Sequence, residues 1–144
     1  MSKKVPYRNK SPYGWWVATE IIRFQFYDED RSNPRRRCCA DENTFLIKAR
    51  DRHAAYRKAM AHGRTLDGAE GVDIVSGRKG TWVFEGLTSL LPVFDELEDG
   101  AEILWMQHPN ITVGKVQSRI REKEDLEVFD DEPREWDSDL LAGE

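Results

Sequence analysis

Residues Gly14 to Phe26 read GWWVATEIIRFQF, and the two adjacent tryptophans in this stretch decide the fold. In an extended chain successive side chains point to opposite faces. Even positions then carry Trp16, Ala18, Ile22, Phe24 and Phe26, interrupted by Glu20, while odd positions carry Trp15, Val17 and Ile21 before turning polar at Arg23 and Gln25. The even face predicts the main core, and the odd face is apolar only in its first half. Trp16 is expected to face a helix. Trp15, with Val17 and Ile21, is expected either under the C-terminal segment or in an exposed apolar patch, where it would be the hot spot of a partner surface.

Outward from this strand, Asn43 to Ala49 alternates Phe45 and Ile47 with Thr44, Leu46 and Lys48 and reads as a second strand. Asp51 stands where an N-cap belongs and Gly63 where a C-cap belongs, with Ala55, Tyr56, Ala59 and Met60 making one apolar stripe at helical spacing between them. Val72 to Val75, Thr81 to Leu87 and Ala101 to Gln107 read as further strands, and residues 76–80 as the hairpin turn between the first two. Leu90 to Phe94 is interrupted by Pro92, which predicts an edge strand or an irregular segment. The architecture expected is α+β: an antiparallel or mixed sheet of about five strands with one principal helix on one face.

A chain of 144 residues, 39% apolar and 10% aromatic, has the length and the side chains for one core. Residues 1–12 read as a flexible arm, 13–107 as the single α+β domain, 108–124 as a weak helical extension, and 125–144 as an acidic disordered tail. In the extension, Val113, Val116 and Ile120 form a thin stripe that fits the half-apolar face of the first strand. The net charge of −5 is unevenly spread: residues 1–40 carry nine Lys/Arg against four acids, and residues 121–144 three against eleven. The longest apolar run is four residues, so no membrane span is expected. No signal segment is legible, and two adjacent cysteines suit a reducing compartment, so the expected location is the cytoplasm.

The block GWWVA, the run IKARDRHAAYRKAMAHG, the strand GTWVFEGLTSL and the turn DGAEI resemble, in that order, a family of small bacterial domains of unknown function, number 4288. The resemblance covers about Gly14 to Gln107. It implies a fold and carries over no catalytic or binding residue.

Chemistry is sparse in the motifs. Cys38, Cys39, His53, His62 and His108 lack the paired spacing of a zinc site, and His53 and His62, nine residues apart, lie on opposite sides of a helix. No metal and no cofactor is expected. There is no nucleophile elbow, and Cys38 or Cys39 beside three arginines only hints at a reactive thiol. Glu20, Glu85 and Glu102 each fall in an expected strand, where a charge must find a partner or reach water. Arg35, Arg36 and Arg37 form the densest basic feature and suit bidentate contacts to phosphate or carboxylate, but a pI near 5.3 argues against a dedicated nucleic-acid binder. Phe129 and Trp136 punctuate the acidic tail and suit docking on a basic protein. The leading expectation is a small non-catalytic protein-interaction module of the adaptor or immunity-protein kind, binding through the sheet face and acidic tail. The alternatives are an enzyme with an undeclared carboxylate or cysteine site, and nucleic-acid binding through the arginine loop. Oligomeric state is left open.

Overall fold

The computed structural model describes residues 4–133. These divide into two compact units, residues 4–72 with 77–105 and residues 73–76 with 106–133.

The first unit is a four-stranded antiparallel sheet with one principal helix. Its elements are β1 (Trp15–Phe26), β2 (Ala40–Lys48), α1 (Arg52–Leu66), β3 (Glu70–Val72) and β4 (Lys79–Pro92), in sheet order β2-β1-β4-β3. The long β1 is central, with β2 paired along one edge and β4 along the other. Trp16 sits beside Ile47 on one side and Pro92 on the other, and the alternation continues to Phe24 opposite Trp82. Trp16, Ala18 and Ile47 pack with Ala55 and Ala59 of α1 as the buried cluster. Alanines at both contact points let the helix backbone approach the sheet closely, and Trp16 donates its Nε1–H to the Ala49 carbonyl at 3.0 Å, so the buried indole keeps no orphan donor.

At the far end Phe24 is fully buried, edge-on to Phe26 and Trp82 at centroid distances of 5.1 and 5.2 Å. Gly71 and Gly80, paired across β3 and β4, make room for that ring; a side chain on Gly80 would also overlap the Gln25 carbonyl. Burying one such phenyl stabilises the fold by about 1.5–3 kcal/mol.

Asp51 caps α1 as its sequence position requires, accepting the Ala54 N–H at 2.8 Å. The helix does not stop at Gly63, however. It runs on to Leu66, and Gly63 is buried inside it because the Phe84 ring lies against its Cα; any side chain there would overlap that ring. Asp67 ends the helix, and its carboxylate accepts the Phe84 N–H at 2.9 Å.

The strand count is four where the sequence suggests about five. Residues 101–107 form no strand, and Ile103, Leu104 and Trp105 are exposed. Leu90 to Pro92 instead extends β4. The proline is tolerated because β3 pairs only with Lys79 to Thr81, which leaves the rest of β4 as a sheet edge on that side. Tyr7 to Asn9 form a 3-10 turn, the Tyr7 ring stacks on Phe94 at 5.4 Å, and Ser11 donates to the Val93 carbonyl at 3.0 Å.

The second unit holds the short helix α2 (Val113–Ser118), capped by Thr112, and two 3-10 turns at Lys123–Asp125 and Glu127–Phe129. Val113, Val116 and Ile120 are exposed. No helix among the described residues is long and apolar enough to cross a membrane.

Candidate functional site

Glu20 is the one residue of β1 that breaks its apolar face, and it lies at the middle of the central strand. Its side chain is 0% exposed, and neither carboxyl oxygen has a hydrogen-bond partner. His62, one turn from the end of α1, is the nearest opposite group: its Nδ1 lies 3.5 Å from Glu20 Oε2, too long for a good hydrogen bond. The imidazole is half exposed and rests on Phe45 of β2, with ring centroids 3.9 Å apart. The pair is a loose contact, without the hydrogen bond that orients a histidine for proton transfer.

The backbone singles out the same place. The pairing of β1 with β4 shifts twice, between Thr19 and Glu20 and again between Ile21 and Ile22. Each shift inserts one residue in β4, Thr88 and then Glu85, so Glu20 and Ile21 lie between two bulges. Bulges re-aim side chains and gather beside functional sites. Gly86, between them, has φ +151°, a conformation that side-chain-bearing residues rarely adopt. Glu85 is turned away to the other face of β1, where it accepts from Arg23 Nε at 2.9 Å. Glu20 and Glu85 therefore serve different faces, and Glu102 lies outside any strand, its N–H bonded to Asp95 at 2.9 Å.

A second feature is a groove of about 450 Å³ between the N-terminal arm and the start of α1, lined by Asn9, Lys10, Trp16, Arg52 and His53 among others. Asp51, on its wall, is held below its ordinary carboxyl value by the Ala54 N–H, with Arg50, His53 and Arg57 adding attraction.

The remaining sequence candidates are scattered. Trp15 is half-buried, with Lys48 Nζ 5.1 Å from its ring centre, in a hollow that Tyr13 and Leu97 also line. Val17 beside it is buried. Within the arginine loop the Arg36 side chain donates to the Glu29 carboxylate and to the carbonyls of Arg31 and Asn33, at 3.3 and 2.8 Å for the latter two. Arg36 thus holds its own loop together, while Arg35 and Arg37 point to water. Cys38 and Cys39 form no disulfide. Phe129 is exposed, with Lys123 Nζ 5.3 Å from its ring, and Trp136 lies outside the described residues. Among the described residues no three His, Cys, Asp or Glu side chains come together as metal ligands.

The Glu20 and His62 pair was hidden in the sequence because 42 positions separate its members and only the helix crossing joins them. A charge on the apolar face of a strand was the available signal.

No curated protein and no solved structure matches the chain. One family model covers residues 15–105, which hold all four strands and α1, and the chain belongs to that family, Domain of unknown function (DUF4288).

Proposed function

We propose that this chain is a non-catalytic protein-binding module in which the DUF4288 domain carries an acidic, apolar-studded segment that docks on a basic partner. One observation carries the reading: every one of residues 106–133 except Ile111 is exposed, and those exposed residues include Val113, Val116, Ile120, Leu126, Val128 and Phe129. Six large apolar side chains left outside along one short acidic segment suit contact with another molecule. The charge around Phe129 supplies the partner's sign. Between Glu122 and Glu132 there are seven acids and one lysine, so a groove lined with Lys or Arg and floored by apolar groups is the complement.

Apolar anchors hold such a complex and acids steer its formation. The test is affinity capture by the full chain from cells that make it, compared with Val128→Asp and Phe129→Ala in one variant. A specific protein retained by the native chain and lost from the variant, while circular dichroism of the two is the same, supports the reading. Identical retained sets for both overturn it.

A further inference from the structure

We propose that the groove between the N-terminal arm and the start of α1 binds a small organic anion, a phosphate or carboxylate carried on a flat apolar body. The groove is about 450 Å³, within the range of small-molecule pockets, and adjoins a second hollow of about 320 Å³ that shares Asn9, Trp16, Arg52 and His53 with it. Its floor is apolar: the edge of buried Trp16, continued by Leu90 and Pro92. Its rim is cationic. Lys10, Arg50 and Arg52 contribute three positive charges against the one carboxylate of Asp51, and His53 adds an imidazole.

Of the basic groups on this rim, Arg50 is paired with Asp51, whereas Lys10 and Arg52 are uncommitted. Elsewhere in the first unit Arg23, Arg36 and Arg78 are each paired with an acid. Lys10, Arg52 and His53 make no ion pair or side-chain hydrogen bond among the described residues, although all three border one concavity. The acid beside them is already occupied, since Asp51 accepts the Ala54 N–H and lies 3.6 Å from Arg50. The opposite wall is fixed rather than loose, through the Tyr7 stack on Phe94 and the Ser11 bond to Val93. An apolar slot with unspent cations at its mouth matches a ligand with a ring to bury and an anionic group to leave at the rim.

The experiment is amide and indole NMR titration of the full chain with phenyl phosphate, benzoate, inorganic phosphate and benzyl alcohol. Phenyl phosphate or benzoate should shift the Trp16 indole and the Asn9, Arg52 and His53 amides with a Kd of about 1 mM or tighter. Inorganic phosphate, which lacks the ring, and benzyl alcohol, which lacks the charge, should each bind at least about tenfold more weakly, a difference of about 1.4 kcal/mol. A combined Arg52→Ala and His53→Ala variant, whose spectrum reports its folding, should lose at least tenfold, and Lys10→Ala should weaken binding on its own. No shift of those signals with either aryl anion at about 10 mM, equal binding of inorganic phosphate, or undiminished binding by the folded variants would overturn the proposal. A stronger response to phenyl phosphate than to benzoate assigns the anion as phosphate, and the reverse as carboxylate.

Discussion

Replacing Glu20 by methionine should make this protein more stable, against the usual direction of core substitutions. The native carboxyl is 0% exposed and neither oxygen meets a donor, which in a buried polar group costs about 1–3 kcal/mol. Methionine keeps the unbranched length and removes both oxygens, and a swap of similar volume costs under about 1.5 kcal/mol. The attraction forfeited is small, because His62 stands 3.5 Å away and is half exposed, where such pairs are worth about 0–1 kcal/mol. The balance is a gain of about 1 kcal/mol, or about 0.5–1 M in a urea midpoint at an m-value of about 1–2 kcal/mol/M. Glu20→Gln, which preserves shape but leaves an amide equally unpartnered, should gain little or nothing. Urea denaturation followed by tryptophan fluorescence measures all three chains. A Glu20→Met midpoint below the native one by the equivalent of about 1 kcal/mol would refute the reasoning, by showing that the carboxyl has a partner the contacts do not reveal.

Other outcomes follow from the packing. Gly63→Ala removes a flexible residue from mid-helix, which in isolation gains about 1 kcal/mol, but here the new methyl overlaps Phe84; overpacking of about 1–3 kcal/mol wins, and thermal unfolding should shift downward. Asp51→Ala should destabilise at neutral pH. Because its folded carboxyl value is lowered, that contribution is complete above the ordinary value of 3.8 and is lost as pH falls through the lowered one, so the difference in melting temperature between the two chains should close in acid. Arg36→Ala should raise hydrogen exchange across residues 29–36 and cost about 1–2 kcal/mol, whereas Arg35→Ala and Arg37→Ala leave both unchanged.

The fold was legible where one residue type settles one geometry. Alternation placed β1 and sent Trp16 to the helix; a single aspartate announced the start of α1. Signals that depend on a distant neighbour misled. Gly63 has the look of a helix stop, yet what selects glycine there is the Phe84 ring, 21 positions further on. Pro92, by contrast, leaves an edge strand or an irregular segment open, and the shortness of β3 makes it an edge position whose missing N–H has no neighbour to serve. Ala101 to Gln107 has the composition of a strand without a strand to pair with. The candidate site was half legible: Glu20 stood out as a charge in an apolar row, but the two bulges around it arise from the lengths of chain between paired residues of β1 and β4, which composition does not record.

Among the described residues, the Glu20 carboxyl and the exposed apolar side chains of 106–133 both depart from folding rules, and they differ in how a partner would reach them. Glu20 is sealed beneath α1, so a donor arrives there only if the helix or His62 moves. The apolar residues of 106–133, Ile111 excepted, are exposed. Buried carboxyls without donors are retained against their cost where activity requires them, and stabilising them away commonly costs function. If the exposed segment is the docking element, its engagement leaves the β1 and β4 amides as protected from hydrogen exchange as before, and Glu20→Met leaves that affinity intact. A protein partner whose binding unprotects β1, or whose affinity falls in Glu20→Met, would instead place the functional centre at the buried carboxyl.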